Sequence, residues 1–285
     1  MIYGGWLLLT ANARHLPPLL TGIAGAWLIA WHGSLQHEVI HGHPSRWPLL
    51  NTLIGAVPLS CWLPFVIYRR SHIAHHATPE ITDPVWDTES RYLRQDRSVS
   101  GRIRYHAETA QATLAGRLLV GPAIMVFRFV LEELARLRRE PVAALRDWMP
   151  HLAALALIVW WLERCGLDLT TYALMIVYPG LSLTLLRSFA EHRAASLPDH
   201  RVATVERAGP FALLFLHNNL HAAHHRRPDL AWYRLPEYYR SRREEFAQEN
   251  GGLVYQGYEE IARRYLLRAH DTLVHPNHGT GIERA

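Results

Sequence analysis

Apolar and polar segments alternate along the chain. The apolar stretches are residues 2–10, 16–31, 47–67, 118–130, 152–162 and 172–186. A helix needs about 20 residues to cross the hydrocarbon core of a membrane. Only 16–36 and 47–67 approach that length by themselves, and 148–163 and 170–188 reach it when their flanks are included. Tryptophan and tyrosine lie at many of the ends, as is typical of a membrane interface, so the pattern favours a membrane protein over a soluble one.

The segments between the apolar stretches are strongly polar. Residues 77–113 are hydrophilic, and the chain after 226 is charged throughout, with a helix expected over 241–268. The predicted fold class is therefore all-α, an integral membrane helical bundle with a histidine-rich cytoplasmic cap. No repeat, low-complexity linker or composition boundary interrupts the sequence.

We accordingly predict one domain over 1–285. Its histidine-rich core is 32–235, and a charged helical C-terminal tail follows at 236–285.

Charge and cysteine content narrow the class of protein further. All 30 basic residues are arginine and the formal net charge is +5. No nucleic-acid-binding signature is present, so we expect no nucleic-acid partner. Arginine in the loops marks the cytoplasmic face of a membrane protein, and we expect a bacterial inner membrane. Cys61 and Cys165 are too few for a disulfide framework, and no cleavable signal peptide is expected.

Nine of the 19 histidines fall into four clusters, each at the end of an apolar stretch or just beyond it. The clusters are His37 with His41, His72 with His75 and His76, the single His192, and His221 with His224 and His225. Positions i and i+3 or i+4 share a face of a helix, so His37 and His41 can point at one site. In an HxxHH box the last two imidazoles diverge by about 100°, so one box can serve two metals.

The number of imidazoles favours a pair of metal ions. Imidazole binds zinc, copper, iron and nickel, so the ligand type does not choose the metal. A catalytic zinc uses about three protein ligands, which would leave six of these histidines idle. Two irons that activate oxygen would use them better. Unlike these nine, the following histidines lack partners at ligand spacing and are expected to be structural or solvated: His15, His32, His43, His106, His151, His200, His270, His275 and His278.

The order HxxxH, HxxHH, HxxHH resembles the membrane fatty acid desaturase and hydroxylase superfamily, between His37 and Trp232. His192 falls where that family carries an additional histidine ligand on its last membrane helix. The resemblance implies two irons held by His37, His41, His72, His75, His76, His192, His221, His224 and His225. Family members activate O2 with two electrons, and they remove or replace hydrogen on an unactivated carbon.

Further candidates surround these ligands. Ligating imidazoles usually donate their second nitrogen to a carboxylate or carbonyl, and the acids nearest the boxes in sequence are Asp83, Asp87, Glu191 and Asp229. His217 lies four residues before His221 and is expected to support a ligand. Some relatives place an asparagine near the last membrane helix that contacts iron through water. The comparable position here is Ser188, and Asn218 is a candidate to compensate.

The clusters must meet on one side of the bilayer, which constrains the 47–67 stretch. A single crossing between the first and second clusters would put them on opposite sides. Pro48, Pro58 and Pro64 interrupt the stretch. We therefore predict an in-plane or re-entrant element, covered by protein or water.

Two crossings are then needed before His192. A hairpin of 148–163 and 170–188, joined by Arg164–Leu169, provides them, and Leu118–Val130 would lie at the surface.

The resemblance implies an enzyme that desaturates a fatty acyl or related lipid chain, free or on an acyl carrier. The electrons would come from a separate ferredoxin-, rubredoxin- or cytochrome-type protein. Hydroxylation or ketolation of a fatty acid, alkane or carotenoid is the alternative within the same superfamily. His37-Glu38-Val39-Ile40-His41 is also a literal HExxH, the motif of zinc proteases in which Glu38 is a general base. A non-catalytic metal-binding or transport protein is a third possibility.

Overall fold

The computed structural model describes residues 1–278 of the chain. These residues form two compact units, each made of two separate parts of the sequence. The first unit contains Met1–Arg70 and Pro122–Leu185, and the second contains Ser71–Gly121 and the chain from Leu186 onward. No single cut in the sequence separates the units, and the expectation of one domain stays a prediction. Residues 279–285 of the predicted tail lie outside the described residues.

Helices dominate the described residues, as the apolar pattern predicts. In chain order the α-helices are Ile2–Ala11, Pro18–Ile40, Pro48–Gly55, Phe65–Ala77, Val99–Ala110, Leu114–Leu119, Gly121–Arg139, Pro141–Cys165, Leu169–Tyr172, Tyr178–Glu191, Pro210–Leu214, His221–Arg226, Leu235–Arg240, Arg243–Glu249 and Tyr258–Tyr265. A π-helical turn at Ala173–Val177 joins Leu169–Tyr172 to Tyr178–Glu191, so that Leu169–Glu191 is one continuous helix. Short 3₁₀ turns lie at Pro198–Arg201, Trp232–Arg234 and Pro276–His278.

Within residues 1–278, two helices are long and apolar enough to cross a membrane. They are Pro141–Cys165 and Leu169–Glu191, and they confirm the predicted helices at 148–163 and 170–188. Only 17% of the most apolar 18-residue segment of Pro141–Cys165 is buried, so most of the side chains of this segment face outward. The connection is shorter than the predicted Arg164–Leu169, because Gly166 adopts a left-handed φ of 69° and ends the first helix there.

Glycine permits close packing inside the first unit. The Pro18–Ile40 helix lies against the π-helical turn, and a Cβ added to Gly25 would stand 2.7 Å from a side-chain carbon of Ile176. Tyr172 is fully buried beside this contact. Its hydroxyl accepts a hydrogen bond from Trp6 Nε1 at 2.8 Å and donates one to the Leu59 carbonyl at 2.7 Å. These bonds join the N-terminal helix and the 47–67 stretch to the second apolar helix.

The 47–67 stretch is not one helix. Pro48–Gly55 is helical, the chain is irregular as far as Pro64, and a new helix begins at Phe65. Proline cannot donate a backbone hydrogen bond, and Pro58 and Pro64 lie in the irregular part. The prolines therefore interrupt the stretch as expected, whereas its in-plane or re-entrant position stays a prediction.

The 118–130 stretch is divided as well. Its first residues end the Leu114–Leu119 helix, and the rest belong to Gly121–Arg139. Its predicted position at the membrane surface stays a prediction.

The second unit also contains a small sheet, so the described residues are mostly helical, as predicted, with one pair of short strands that was not expected. Strand β1, Thr204–Arg207, pairs in parallel with strand β2, Val254–Gly257. The helix predicted over 241–268 is therefore wrong. The segment instead contains two helices. The first, Arg243–Glu249, ends where Gly251 and Gly252 adopt positive φ, at 64° and 74°. The chain then forms β2, and the second helix, Tyr258–Tyr265, follows it. A Gly-Gly pair is a turn signal that the charge pattern of the tail obscured.

Candidate metal centre

The first histidine cluster ends the Pro18–Ile40 helix in the first unit. His37 lies in the last turn and His41 is the residue that follows the helix. The ring centroids of the two imidazoles are 5.0 Å apart. The HxxxH spacing therefore places both rings on one face, as helical geometry requires.

The other seven histidines belong to the second unit. His72, His75 and His76 occupy the end of the Phe65–Ala77 helix, and His192 follows the helix that ends at Glu191. The third box forms its own short helix, His221–Arg226. Each cluster thus lies at or just past a helix end.

Four of these seven imidazoles converge closely. The ligand atoms of His75, His192, His221 and His225 lie within 4.8 Å of one another. Their Nε2 atoms form a chain of contacts that measure 3.3 Å between His75 and His225, 3.1 Å between His225 and His221, and 2.9 Å between His221 and His192.

The hydrogen-bond partners of His192 and His221 leave no proton between these two rings. His192 Nδ1 faces the Arg201 carbonyl at 3.3 Å, and a carbonyl can only accept, so this nitrogen carries the hydrogen. Asn218 donates its amide to Glu191 at 3.1 Å and thereby turns its oxygen toward His221 Nδ1 at 3.2 Å. Neutral rings with a hydrogen on Nδ1 have a lone pair on Nε2, so two lone pairs oppose each other across 2.9 Å.

Burial keeps these rings neutral. It lowers the pKa of His192 to about 3, and the neighbouring charge of His75 acts in the same direction. Burial and the surrounding imidazoles also hold the pKa of His221 and of His225 well below its ordinary value. Opposed lone pairs on neutral, buried imidazoles repel unless a cation lies between them. Neutral imidazole is also the form that ligates a metal, so the arrangement fits a metal ion.

His75 differs from the other three rings. Burial acts to lower its pKa, but the hydrogen bond to Asp87 and the charges of Glu89 and Asp87 outweigh burial and raise it. His75 Nδ1 lies 2.7 Å from Asp87 Oδ1, and both side chains are almost fully buried. A metal ion at Nε2 would take the place of the second proton.

The remaining three histidines of the second unit are also neighbours. His76 Nε2 lies 3.2 Å from His224 Nε2, and the rings of His72 and His76 are 4.6 Å apart between centroids. His72 turns its Nδ1 to Glu89 Oε1 at 3.1 Å. Histidine with its second nitrogen on a carboxylate is the usual arrangement at metal sites.

The polar partners differ in part from those that the sequence suggests. Asp87 contacts His75, and Asn218 bonds both His221 and Glu191. Glu191 Oε1 also lies 3.5 Å from His221 Nδ1. The sequence does not predict Glu89 as the partner of His72, because no spacing rule links the two residues and only the fold of the 78–93 loop brings them together.

The other candidates make different contacts. Asp229 forms an exposed ion pair with Arg227, and Arg117 donates to the Ser188 hydroxyl at 3.3 Å. The His217 ring stacks on Trp232 with centroids 5.8 Å apart. Asp83 accepts a hydrogen bond from the backbone of Val85, and its other oxygen lies 2.8 Å from His278 Nε2.

Comparison with known proteins identifies one family. A family model described as fatty acid desaturase matches residues 14–257, which include all four histidine clusters. No curated protein and no solved structure matches the chain.

Proposed function

Because the chain belongs to the fatty acid desaturase family, we propose that it is a membrane di-iron oxidoreductase that uses O2 to desaturate a fatty acyl or related lipid chain. Family membership and the histidine clusters support an oxidoreductase of the desaturase and hydroxylase type. The family and the two apolar helices together indicate a membrane protein. The opposed Nε2 atoms of His192 and His221 are the single observation that carries the metal centre.

We assign the histidines to two iron positions. His75, His192, His221 and His225 are the proposed ligands of one iron, because their ligand atoms converge. His72, His76 and His224 are the proposed ligands of the other, together with His37 and His41. The assignment of the last two rests on the order of the histidine boxes that the family shares. When bound, the iron pair would supply the activation of dioxygen and the removal of hydrogen from a methylene carbon.

The residues around the imidazoles have a positioning role in this proposal. Asp87 and Glu89 accept hydrogen bonds from the Nδ1 atoms of His75 and His72, which fixes the tautomer of each ring with its lone pair on Nε2. Asn218 does the same for His221 and is itself oriented by Glu191. Asp87, Asn218 and Glu191 are buried, which excludes water from their contacts with the imidazoles and strengthens each of those contacts.

Electrons are proposed to come from a separate ferredoxin-, rubredoxin- or cytochrome-type protein. The two cysteines of the chain are too few for an iron–sulfur cluster held by four cysteines. The proposed location is a bacterial inner membrane with the metal site on the cytoplasmic side. Support for that side comes from the arginines of the 91–146 segment, since cytoplasmic loops carry an excess of basic residues.

The function is tested by lipid analysis of cells that express the chain or its His75→Ala variant. The expected result is a lipid species two hydrogens lighter that appears with the wild-type chain, requires O2, and is absent with the variant. Iron measured in the purified protein should approach two per chain and fall in the variant. An unchanged lipid profile together with a single bound zinc would contradict the proposal.

The same measurement distinguishes the alternatives. A hydroxylase would add one oxygen to the lipid, and a ketolase would convert a methylene to a carbonyl. Glu38→Gln separates the zinc protease from both, because a protease would lose its general base whereas a desaturase should keep its metal and its product.

A further inference from the structure

A second group of metal-binding side chains lies in the second unit. Asp83, His275 and His278 each offer a ligand atom, and these atoms lie within 4.8 Å of one another. None of the three belongs to a histidine box, and the expectation that His275 and His278 lack a partner at ligand spacing is wrong, because they are three residues apart and their rings are neighbours. We propose that they bind one zinc ion at a site that is distinct from the di-iron centre and that fastens the C-terminal segment to the loop after the second box.

Backbone hydrogen bonds hold the two segments together. Leu93 donates its N–H to the Leu273 carbonyl at 2.9 Å, and His275 donates its N–H to the Leu93 carbonyl at 3.0 Å. Leu93 and Val274 form a parallel β-bridge. Main-chain contacts that do not depend on a metal therefore place the histidine pair against the 78–93 loop.

The two histidines share one side of a 3₁₀ turn at Pro276–His278. Side chains at positions i and i+3 eclipse in 3₁₀ geometry, and the two ring centroids are 5.8 Å apart. The His278 N–H donates to the His275 carbonyl at 2.8 Å and closes the turn. The ligand atoms of both imidazoles lie within 4.8 Å of a carboxylate oxygen of Asp83.

Asp83 is fixed with one oxygen available to the site. Its Oδ1 accepts backbone hydrogen bonds from Val85 at 2.8 Å and Trp86 at 3.3 Å. Its Oδ2 lies 2.8 Å from His278 Nε2. The residue is only 4% exposed, so a charged carboxylate here requires a strong partner.

The neighbouring charges are already paired. Arg201 is fully buried and contacts Glu80 at 3.0 Å, while Asp87 faces His75 at 2.7 Å. A divalent cation bound by Asp83 and two neutral imidazoles would compensate this carboxylate in the buried environment.

Both ring nitrogens of His275 have a hydrogen-bond partner. The residue is fully buried, and its Nε2 lies 3.1 Å from the Thr82 hydroxyl. We assign Nδ1 as the ligand atom, which would displace the Asn277 N–H that faces it at 3.2 Å. The Nε2 hydrogen then donates to Thr82, as the second nitrogen of a ligating histidine usually does.

The donor set fits zinc, and it also binds ferrous iron, so the metal content must be measured for both ions. Two imidazoles and one carboxylate are a ligand set known for zinc sites that keep a fourth position open. Thr82 connects the site to the iron ligands, because its N–H donates to Asp87 Oδ2 at 2.7 Å. Metal binding would thus stiffen the loop that carries Asp87 and Glu89.

The test measures metal content and thermal unfolding of the full-length protein in detergent, after removal of any affinity tag. The protein is stripped with a chelator, exposed to ferrous iron and then to ZnCl2, and desalted before elemental analysis. The variants are His278→Ala and Asp83→Asn. His106→Ala is the matched control, because it removes an exposed histidine of the same unit.

The wild-type chain and His106→Ala should retain one zinc per chain, and zinc should raise their Tm. His278→Ala and Asp83→Asn should lose that zinc and the rise in Tm, with their iron content unchanged. His278 is partly exposed, so its variant keeps the test valid even if Asp83→Asn fails to fold. Equal zinc in His278→Ala and wild type, or no retained zinc in wild type, would overturn the proposal. His75→Ala should lose iron and keep zinc, so failure of the di-iron proposal is seen separately.

Discussion

His75 Nδ1 and Asp87 Oδ1 are 2.7 Å apart, and both side chains are almost fully buried. The residues are connected by a turn of the 78–93 loop, in which Asp87 also accepts the backbone N–H groups of Thr82 and Glu89. Two backbone donors therefore hold this carboxylate against the imidazole. His75 keeps one orientation and one tautomer as a consequence.

Asp87→Ala should weaken iron binding by about 10- to 100-fold, the usual effect of removing such a partner from a ligating histidine. The imidazole would lose its acceptor and could turn or change tautomer. Iron retained per chain against a graded chelator series measures the effect. Asp229→Ala is the control, because Asp229 is an exposed acid paired with Arg227. Equal iron retention in the two variants would show that Asp87 does not position His75.

Asn218→Leu should also reduce iron retention by about 10-fold or more. Leucine has a similar size but cannot accept the Nδ1 hydrogen of His221 or donate to Glu191. Asn219→Leu provides a matched control, since this neighbouring buried asparagine donates to the Val205 carbonyl at 2.7 Å. The control should lower Tm and leave iron retention unchanged. The interpretation would be wrong if both variants lost iron to the same extent.

Gly25→Ala should lower the stability of the first unit by about 1–3 kcal/mol, the usual cost of inserting a methyl group into a packed contact. The added Cβ would stand 2.7 Å from Ile176. In an Ile176→Ala background the same substitution should have little effect, because the obstructing carbons are gone. Thermal unfolding in detergent provides the comparison.

Gly4→Ala is the control for this comparison of Gly25→Ala with and without Ile176→Ala, since no atom lies within 4 Å of the Cβ added to Gly4. If Gly25→Ala has the same effect with and without Ile176, close packing of the two helices is not the reason for this glycine.

Glu206→Gln should make stability depend less on pH. The hydrogen bond from Arg243, opposed by burial and assisted by Tyr239, holds the pKa of Glu206 below its usual value. A depressed carboxyl pKa stabilises the fold above the unfolded pKa of about 4.3, and that stabilisation is lost as the pH falls through the folded pKa. At pH 7 the variant should be less stable by about 1 kcal/mol.

Tm of the wild type and of Glu206→Gln, measured from pH 7 down to pH 3, tests this expectation. The two curves should converge at the acid end. Glu237→Gln, which changes an exposed glutamate of the same unit, should change Tm little at either pH. A difference between wild type and Glu206→Gln that persists undiminished at pH 3 would exclude the proposed ionic contribution.

Local spacing was enough to predict the elements that carry the candidate ligands. His37 and His41 share a helix face, and so does the first histidine of each HxxHH box with the two later ones, because three- and four-residue separations do so on any helix. The two apolar helices follow from the length of uninterrupted apolar sequence, which is likewise a local property. The prolines of the 47–67 stretch interrupt it wherever the surrounding chain lies.

Tertiary structure alone decided which distant groups meet. Glu89 rather than Asp83 reached a box histidine, and Asp83 met His278 instead, because the course of a loop depends on contacts that no sequence period records. Strand β2 formed inside the expected tail helix because β1, fifty residues earlier, supplied its pairing edge. Residue types and their spacing therefore determined the kind of chemistry available to this chain. The partner of each side chain was decided by long-range packing, since hydrogen bonds and ion pairs act over a few ångströms and ignore separation in sequence.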